Sequence, residues 1–66
     1  MVPLKTLERF FKYCQFLHSR REEGADFVFS HELAAAVGVS PEQVRRDLMN
    51  FTIKGTPQKG YRLDQF

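Results

Sequence analysis

Apolar side chains recur near the start of the chain at steps of three and four: Leu4, Leu7, Phe10, Phe11, Cys14 and Leu17. This spacing marks one face of an α-helix, with Lys5, Glu8, Arg9, Lys12 and Gln15 mostly on the other. Pro3 suits the first turn, where its missing N–H costs nothing. Gly24 is a favoured stop, so a first helix is predicted from Pro3 to about His18–Glu23. Phe27-Val28-Phe29 is β-prone but long enough only for a small strand or an extended lead into the next helix. Ser30 is a predicted N-cap, with Glu32 favourable to the helix dipole in the first turn. His31-Glu32-Leu33-Ala34-Ala35-Ala36-Val37 is helix-prone, and Gly38 ends it. Two residues on, Ser40 caps again, Pro41 takes the first helical position and Gln43 the third, a Ser-x-x-Gln capping box.

Beyond Asn50 the pattern changes. Phe51-Thr52-Ile53-Lys54 and Gly60-Tyr61-Arg62-Leu63 are β-compatible runs separated by the turn-rich Gly55-Thr56-Pro57-Gln58-Lys59. Helix, tight turn, helix and hairpin together predict a mostly α fold, a winged helix-turn-helix with three helices and a small C-terminal β-hairpin wing. Residues 1–66 form one such domain, near the lower size limit for a core without staples, and seven Phe and two Tyr supply large buried areas. A single cysteine excludes an internal disulfide framework and points to a cytoplasmic protein. No apolar run is long enough to cross a bilayer.

The net charge of +2 is unevenly placed. Residues 1–38 sum to zero, while Arg45, Arg46, Lys54, Lys59 and Arg62 outnumber Glu42, Asp47 and Asp64 in the remainder. A basic second half is the footprint expected of a small DNA-binding domain. At about 100° per residue, Val44, Leu48 and Phe51 share the core-facing side of the third helix. Arg46 lies almost opposite, with Gln43 and Asn50 on one flank and Glu42 and Met49 on the other. Arg46, Gln43 and Asn50 are side-chain types that can read base edges, Arg on guanine and Gln or Asn on adenine. Arg45, nearer the core boundary, is expected to contact phosphate or pair with an acid, and Asp47, also at the edge, to orient an arginine. The helix starts at Ser30, His31 and Ser40 offer backbone N–H groups to phosphates, although capping alone accounts for both serines. In the wing, Lys54 and Lys59 are expected to follow the DNA backbone or reach the minor groove. Tyr61 is read as a hairpin core residue and Cys14 as a buried, inert thiol. His18 and His31 are isolated, no phosphate-cradling Gly-rich loop is present, and no constellation supports an enzyme. The competing reading is a winged helix that binds protein through Phe and Met surfaces.

With these elements placed, the chain resembles the N-terminal DNA-binding domain of the redox-sensing repressor family Rex. The residues that carry the likeness are Pro3, Arg9, Tyr13, Ser30, Glu32-Leu33-Ala34, Gly38-Val39, Gln43 to Leu48 with Phe51, and Gly55, Gly60 and Tyr61. The resemblance implies a homodimer on a palindromic operator in double-stranded DNA. It also implies NAD or NADH bound by an attached Rossmann domain, since no dinucleotide fingerprint lies in this chain. Three departures stand out: Phe11 replaces the family's proline, Thr52 its glycine, and Thr56-Pro57-Gln58 the basic Lys-Arg-Gly of the wing.

Overall fold

The computed structural model describes every residue from Met1 to Phe66. It contains α1 (Leu4–Glu22), β1 (Phe27–Val28), α2 (Ser30–Val37), α3 (Pro41–Asn50), β2 (Gly55–Thr56), β3 (Gly60–Arg62) and a closing 3-10 turn over Leu63–Gln65. The winged helix-turn-helix class is borne out. Its core is drawn from every layer: Tyr13 and Leu17 of α1, Val28 of β1, Leu33 and Ala34 of α2, Val44 and Leu48 of α3, then Ile53 and Leu63.

All three helices stop by the same device. After α1, Gly24 adopts φ 90° and the Gly24 and Ala25 amides donate to the carbonyls of Arg21 and Arg20. After α2, Gly38 adopts φ 85° and the Val39 amide returns to Ala34. After α3 the left-handed residue is Thr52, at φ 57°, and the Thr52 and Ile53 amides return to Met49 and Leu48. The last is a Schellman motif with a β-branched residue where glycine is usual. The left-handed conformation costs an L-residue roughly 1–2 kcal/mol, so the end of α3 is strained.

The helix starts differ from expectation. Pro3 precedes α1 as its cap residue, with its carbonyl accepting from Thr6 and Leu7. Phe29, not Ser30, caps α2, and Ser30 is already helical. The Glu32 carboxylate accepts from the Phe29 amide at 2.9 Å, which leaves the Ser30 hydroxyl free for another partner. At α3, Ser40 does cap, its Oγ accepting from the Gln43 amide at 3.1 Å. The reciprocal half of the capping box is absent because the Gln43 side chain turns to Asp47.

The buried face of α1 keeps Leu17 and Phe10 of the predicted stripe but is rotated away from the rest of it. Thr6, Tyr13 and Leu17 are buried and Phe10 and Phe16 pack against the core, whereas Leu4, Leu7 and Phe11 are 71%, 46% and 64% exposed. Cys14 is half-buried rather than buried, though burial still pushes its thiol up against the opposing charge of Arg21. The helix carries two overlapping apolar stripes. The one that faces inward brings Arg9 and Tyr13 to a buried acid on α3.

The wing also begins later than expected. Phe51–Lys54 forms no strand, because Phe51 to Ile53 complete the stop of α3 and the Ile53 side chain enters the core. Pairing starts inside the predicted turn, with Gly55 opposite Tyr61 and Thr56 opposite Gly60. On its other edge β3 pairs antiparallel with β1, Val28 opposite Tyr61 and Phe27 opposite Arg62, giving a sheet of order β1-β3-β2. Gly60 makes this closure possible: it has φ 78°, and a Cβ there would run into the Val28 carbonyl and the Phe29 ring. Phe51 stacks on Phe10 at 4.1 Å between ring centroids, and Phe66 lies 5.9 Å from the same ring. The ends of α3 and of the chain are thereby tied to α1.

Candidate nucleic-acid interface

Helix α3 turns Val44, Asp47 and Leu48 inward and leaves Glu42, Arg45, Arg46, Met49 and Asn50 exposed, with Gln43 half-buried between the two faces. The inward set follows the i, i+3, i+4 spacing of a core stripe, and Phe51 continues it at i+7. An aspartate therefore occupies a core position, at 1% exposure. This corrects the sequence expectation that Asp47 sits at the edge near Arg45 and Arg46.

A buried carboxylate is tolerable only when paired and hydrogen-bonded. Asp47 meets both conditions through α1. Arg9 Nε donates to Oδ2 at 2.6 Å and Arg9 Nη2 to Oδ1 at 2.9 Å, a bidentate pair. The Tyr13 hydroxyl donates to Oδ2 at 2.6 Å and Gln43 Nε2 to Oδ1 at 2.8 Å. Asp47 thus orients an arginine as expected, but the arginine is Arg9. Burial pushes the Asp47 carboxyl up, yet the hydrogen bonds from Arg9, Tyr13 and Gln43 with the charge of Arg9 outweigh it and hold the group below the ordinary carboxylate value. The hydrogen bond to Asp47 raises Arg9 above its ordinary value. Burial, then the bond to Asp47, push the Tyr13 phenol well up. At neutral pH the site is one carboxylate, one guanidinium and one neutral phenol. Its effect on the surface is electrostatic as well as mechanical: the negative charge of α3 nearest the core is cancelled from behind, leaving Arg45 and Arg46 opposed on this helix by Glu42 alone.

The remaining sequence-predicted residues fall as follows. The Arg46 guanidinium is exposed, and no ion pair or side-chain hydrogen bond within the chain engages it, while Asn50 Nδ2 folds back to the Arg46 carbonyl at 3.3 Å. Arg45 Nη1 donates to Ser30 Oγ at 3.2 Å, and its Nη2 lies 3.7 Å from Glu42 Oε2, so Arg45 joins the starts of α2 and α3. His31 is exposed, its ring stacked on Phe29 at 5.5 Å. Ser40 stays at the exposed start of α3. In the wing, Lys54 is exposed, and its backbone is held at both ends by the Gln65 amide. Lys59 sits at the hairpin tip with Nζ 5.8 Å from the Phe27 ring centroid. The structure brings Ser30 and Arg45 together, and Ser40 with Gln43; no hydrogen bond or ion pair joins Lys54 or Lys59 to α3.

Arg9 and Tyr13 position this helix and are missed by a reading of local pattern. The signal available was Asp47 itself, at a core position of the 44, 47, 48, 51 stripe and requiring a partner. No group of three or more His, Cys, Asp or Glu converges on a metal-binding geometry, and no helix is long and apolar enough to cross a membrane.

Comparison with known proteins gives the same direction. A family described as "Putative DNA-binding protein N-terminus" matches residues 1–48. Among curated proteins, the chain is 43% identical over 63 residues to the "Redox-sensing transcriptional repressor Rex" of Syntrophomonas wolfei, covering 96% of this chain and 30% of that protein. Proteins of the same description from Pelotomaculum thermopropionicum and Desulforamulus reducens are 42% and 40% identical, each over 62 residues, covering 94% of this chain and 29% and 30% of the relative. The chain therefore spans about 30% of the length of the curated relatives it matches.

Proposed function

The chain belongs to the family of Rex-type N-terminal DNA-binding domains, and from that premise we propose that it reads an operator in double-stranded DNA by laying α3 in the major groove. The observation that carries this reading is the division of α3 into two functions. One side is clamped to the core through Val44, Leu48 and the Arg9–Asp47 pair, and the other holds Arg46 exposed and unpaired. A rigid helix with a free guanidinium at its outer face suits bidentate recognition of guanine. Gln43 and Asn50 flank it as further base readers. Arg45, steered toward Ser30, suits the phosphate next to the start of α2, where Ser30, His31 and Ser40 offer additional backbone-positioning contacts. Lys54 and Lys59 serve the sugar-phosphate backbone beside the wing.

In a longer protein, the reading takes the form of a homodimer on a palindromic operator. The relatives' description as redox-sensing repressors supports assigning NAD or NADH to a Rossmann domain outside this chain. The domain is then the repressor's DNA-reading part, a cytoplasmic regulator and not an enzyme.

The test is fluorescence anisotropy on a duplex enriched from a randomised pool, beside an unrelated duplex. Arg46→Ala is expected to lower affinity for the enriched duplex by roughly 1–3 kcal/mol and to relax preference at one base pair. Arg45→Ala is expected to weaken both duplexes evenly and reduce the salt slope by about one phosphate contact. Equal losses on both duplexes for Arg46→Ala would remove its base-reading role. Binding indifferent to salt would favour a protein-binding surface, for which exposed Met49 and the Leu4, Leu7 and Phe11 face of α1 are the available apolar groups.

A further inference from the structure

Helix α3 carries one large exposed apolar side chain, Met49, at 76% exposure. Its place on the helix is as far from the core as that of Arg46. At about 100° per residue, the direction opposite buried Val44, Asp47 and Leu48 runs between Arg46 and Met49, each about 30° from it. The two positions are three residues apart, about 4.5 Å along the axis, the spacing of neighbours on one helix face. Glu42 shares this outer line and is engaged by Arg45 at 3.7 Å. Any seating of α3 that turns the outer line toward base pairs brings Arg46 and Met49 in together. The Met49 thioether is a weak acceptor and no donor. Set against an amino or carbonyl edge, it would strip water from the base and return no comparable hydrogen bond. The major groove offers one apolar group, the 5-methyl of thymine. An unbranched side chain with three rotatable bonds can follow that methyl without moving the helix.

We infer that Met49 is a specificity-determining residue that reads the 5-methyl group of a pyrimidine within about two base pairs of the one Arg46 reads. The inference rests on the DNA-binding reading above and deepens it. Thymine carries this methyl group, and so does 5-methylcytosine. Thymine and uracil present the same hydrogen-bonding edge, as do 5-methylcytosine and cytosine. A helix that read bases only through Arg46, Gln43 and Asn50 would be blind to both differences. Met49 gives α3 an apolar means of recognition beside the polar one, and makes its affinity depend on a single carbon atom of the base.

The test is fluorescence anisotropy of the full chain on the duplex enriched from a randomised pool, with each thymine replaced in turn by deoxyuridine. The parent is expected to lose affinity about fourfold at one thymine position, the worth of one buried methyl group. Met49→Ala is expected to bind the thymine and uracil duplexes alike. In a second arm, cytosine takes the place of that thymine, with or without its own 5-methyl group. Methylation there is expected to raise parent affinity about fourfold and to leave Met49→Ala unchanged. Met49 is no part of the core, so the alanine variant is expected to melt with the parent. Three results overturn the inference while DNA binding stands: no thymine at which deoxyuridine weakens the parent, equal parent affinity for the two cytosines, or a Met49→Ala variant that still discriminates or binds neither duplex. Failure of the parent to bind any duplex at low salt overturns both readings.

Discussion

Replacing Arg9 with methionine isolates the clamp behind α3. The substitution keeps the aliphatic stem against the core and removes the one cation that faces Asp47, along with two of its four hydrogen bonds. Asp47 is 1% exposed, and Arg9 has 24% of its side chain exposed, so the carboxylate bears most of the loss. Leaving a buried charge without its partner costs about 3–5 kcal/mol, and partial hydration through the vacated Arg9 position argues for the lower end, about 3 kcal/mol. Stability of roughly 0.05–0.15 kcal/mol per residue gives a chain of this size about 3–10 kcal/mol in total, so the variant is marginal at neutral pH. Urea unfolding followed by far-UV circular dichroism reads the loss as a midpoint lowered by about 2–3 M, for a slope near 1 kcal/mol per M.

The pH dependence identifies the cause. In the parent, the folded Asp47 pKa is depressed, so its contribution is complete above the ordinary carboxylate value near 4 and is lost as pH falls through the folded value. In Arg9→Met, burial is no longer outweighed, the carboxyl rises above its ordinary value, and protonation on acidification relieves the buried charge. The gap between the two proteins therefore narrows as pH is lowered from about 7 toward 4. Asp47→Asn, costly in the parent, should be neutral or stabilising in the Arg9→Met background. A loss below about 1 kcal/mol at neutral pH, or one constant across this range, would refute the argument that Asp47 is buried and ionised behind α3.

Three further outcomes are expected. Thr52→Gly relieves the left-handed strain at the end of α3 and should stabilise by about 1 kcal/mol, raising Tm by about 4–8 °C; an unchanged melting curve would show that the position is unstrained. Because the folded Tyr13 phenol lies above its ordinary value, its contribution is complete below about pH 10 and is lost as pH rises beyond that. Melts at about pH 8 and 11 should show this loss in the parent and its absence in Tyr13→Phe, which itself costs about 1–2 kcal/mol at neutral pH by leaving Asp47 one donor short. Gly60→Ala drives a Cβ into the Val28 carbonyl and the Phe29 ring, so a loss of about 2–3 kcal/mol and faster amide exchange in β1 and β3 are expected; protection equal to the parent would contradict the close approach of the strands.

The helices were legible because their ends are written locally. Gly24, Gly38, Ser40 and Pro41 act within a turn of where they stand, and the structure uses each of them as a stop or a start. What was not legible depends on residues far apart in the chain. Arg9 looks like a surface residue until Asp47 is seen to occupy a core position 38 residues later. The same pairing selects one apolar stripe of α1 over another of equal periodicity, which is why Leu4, Leu7 and Phe11 point outward. The late start of the wing has a local cause that β-propensity conceals: Thr52 and Ile53 are β-branched, yet their amides are taken by the stop of α3. The exposed residues of α3 follow from its wheel because Val44 and Leu48 fix the rotation, but the Asp47 tether of Gln43 required tertiary contacts.

Pairing of β1 with β3 closes the stretch from Val28 to Tyr61 into a ring that holds α2 and α3, fastened by backbone hydrogen bonds. The hairpin tip from Pro57 to Lys59 lies outside this ring, because β2 and β3 short-circuit it. Residues at the tip can therefore be exchanged, or their number altered, without shifting α3. Of Thr56-Pro57-Gln58, which stands where the resemblance implies a basic triplet, Pro57 and Gln58 lie in this tip, while Thr56 ends β2 opposite Gly60. Wing chemistry and helix placement are separate modules in this domain, free to diverge at different rates.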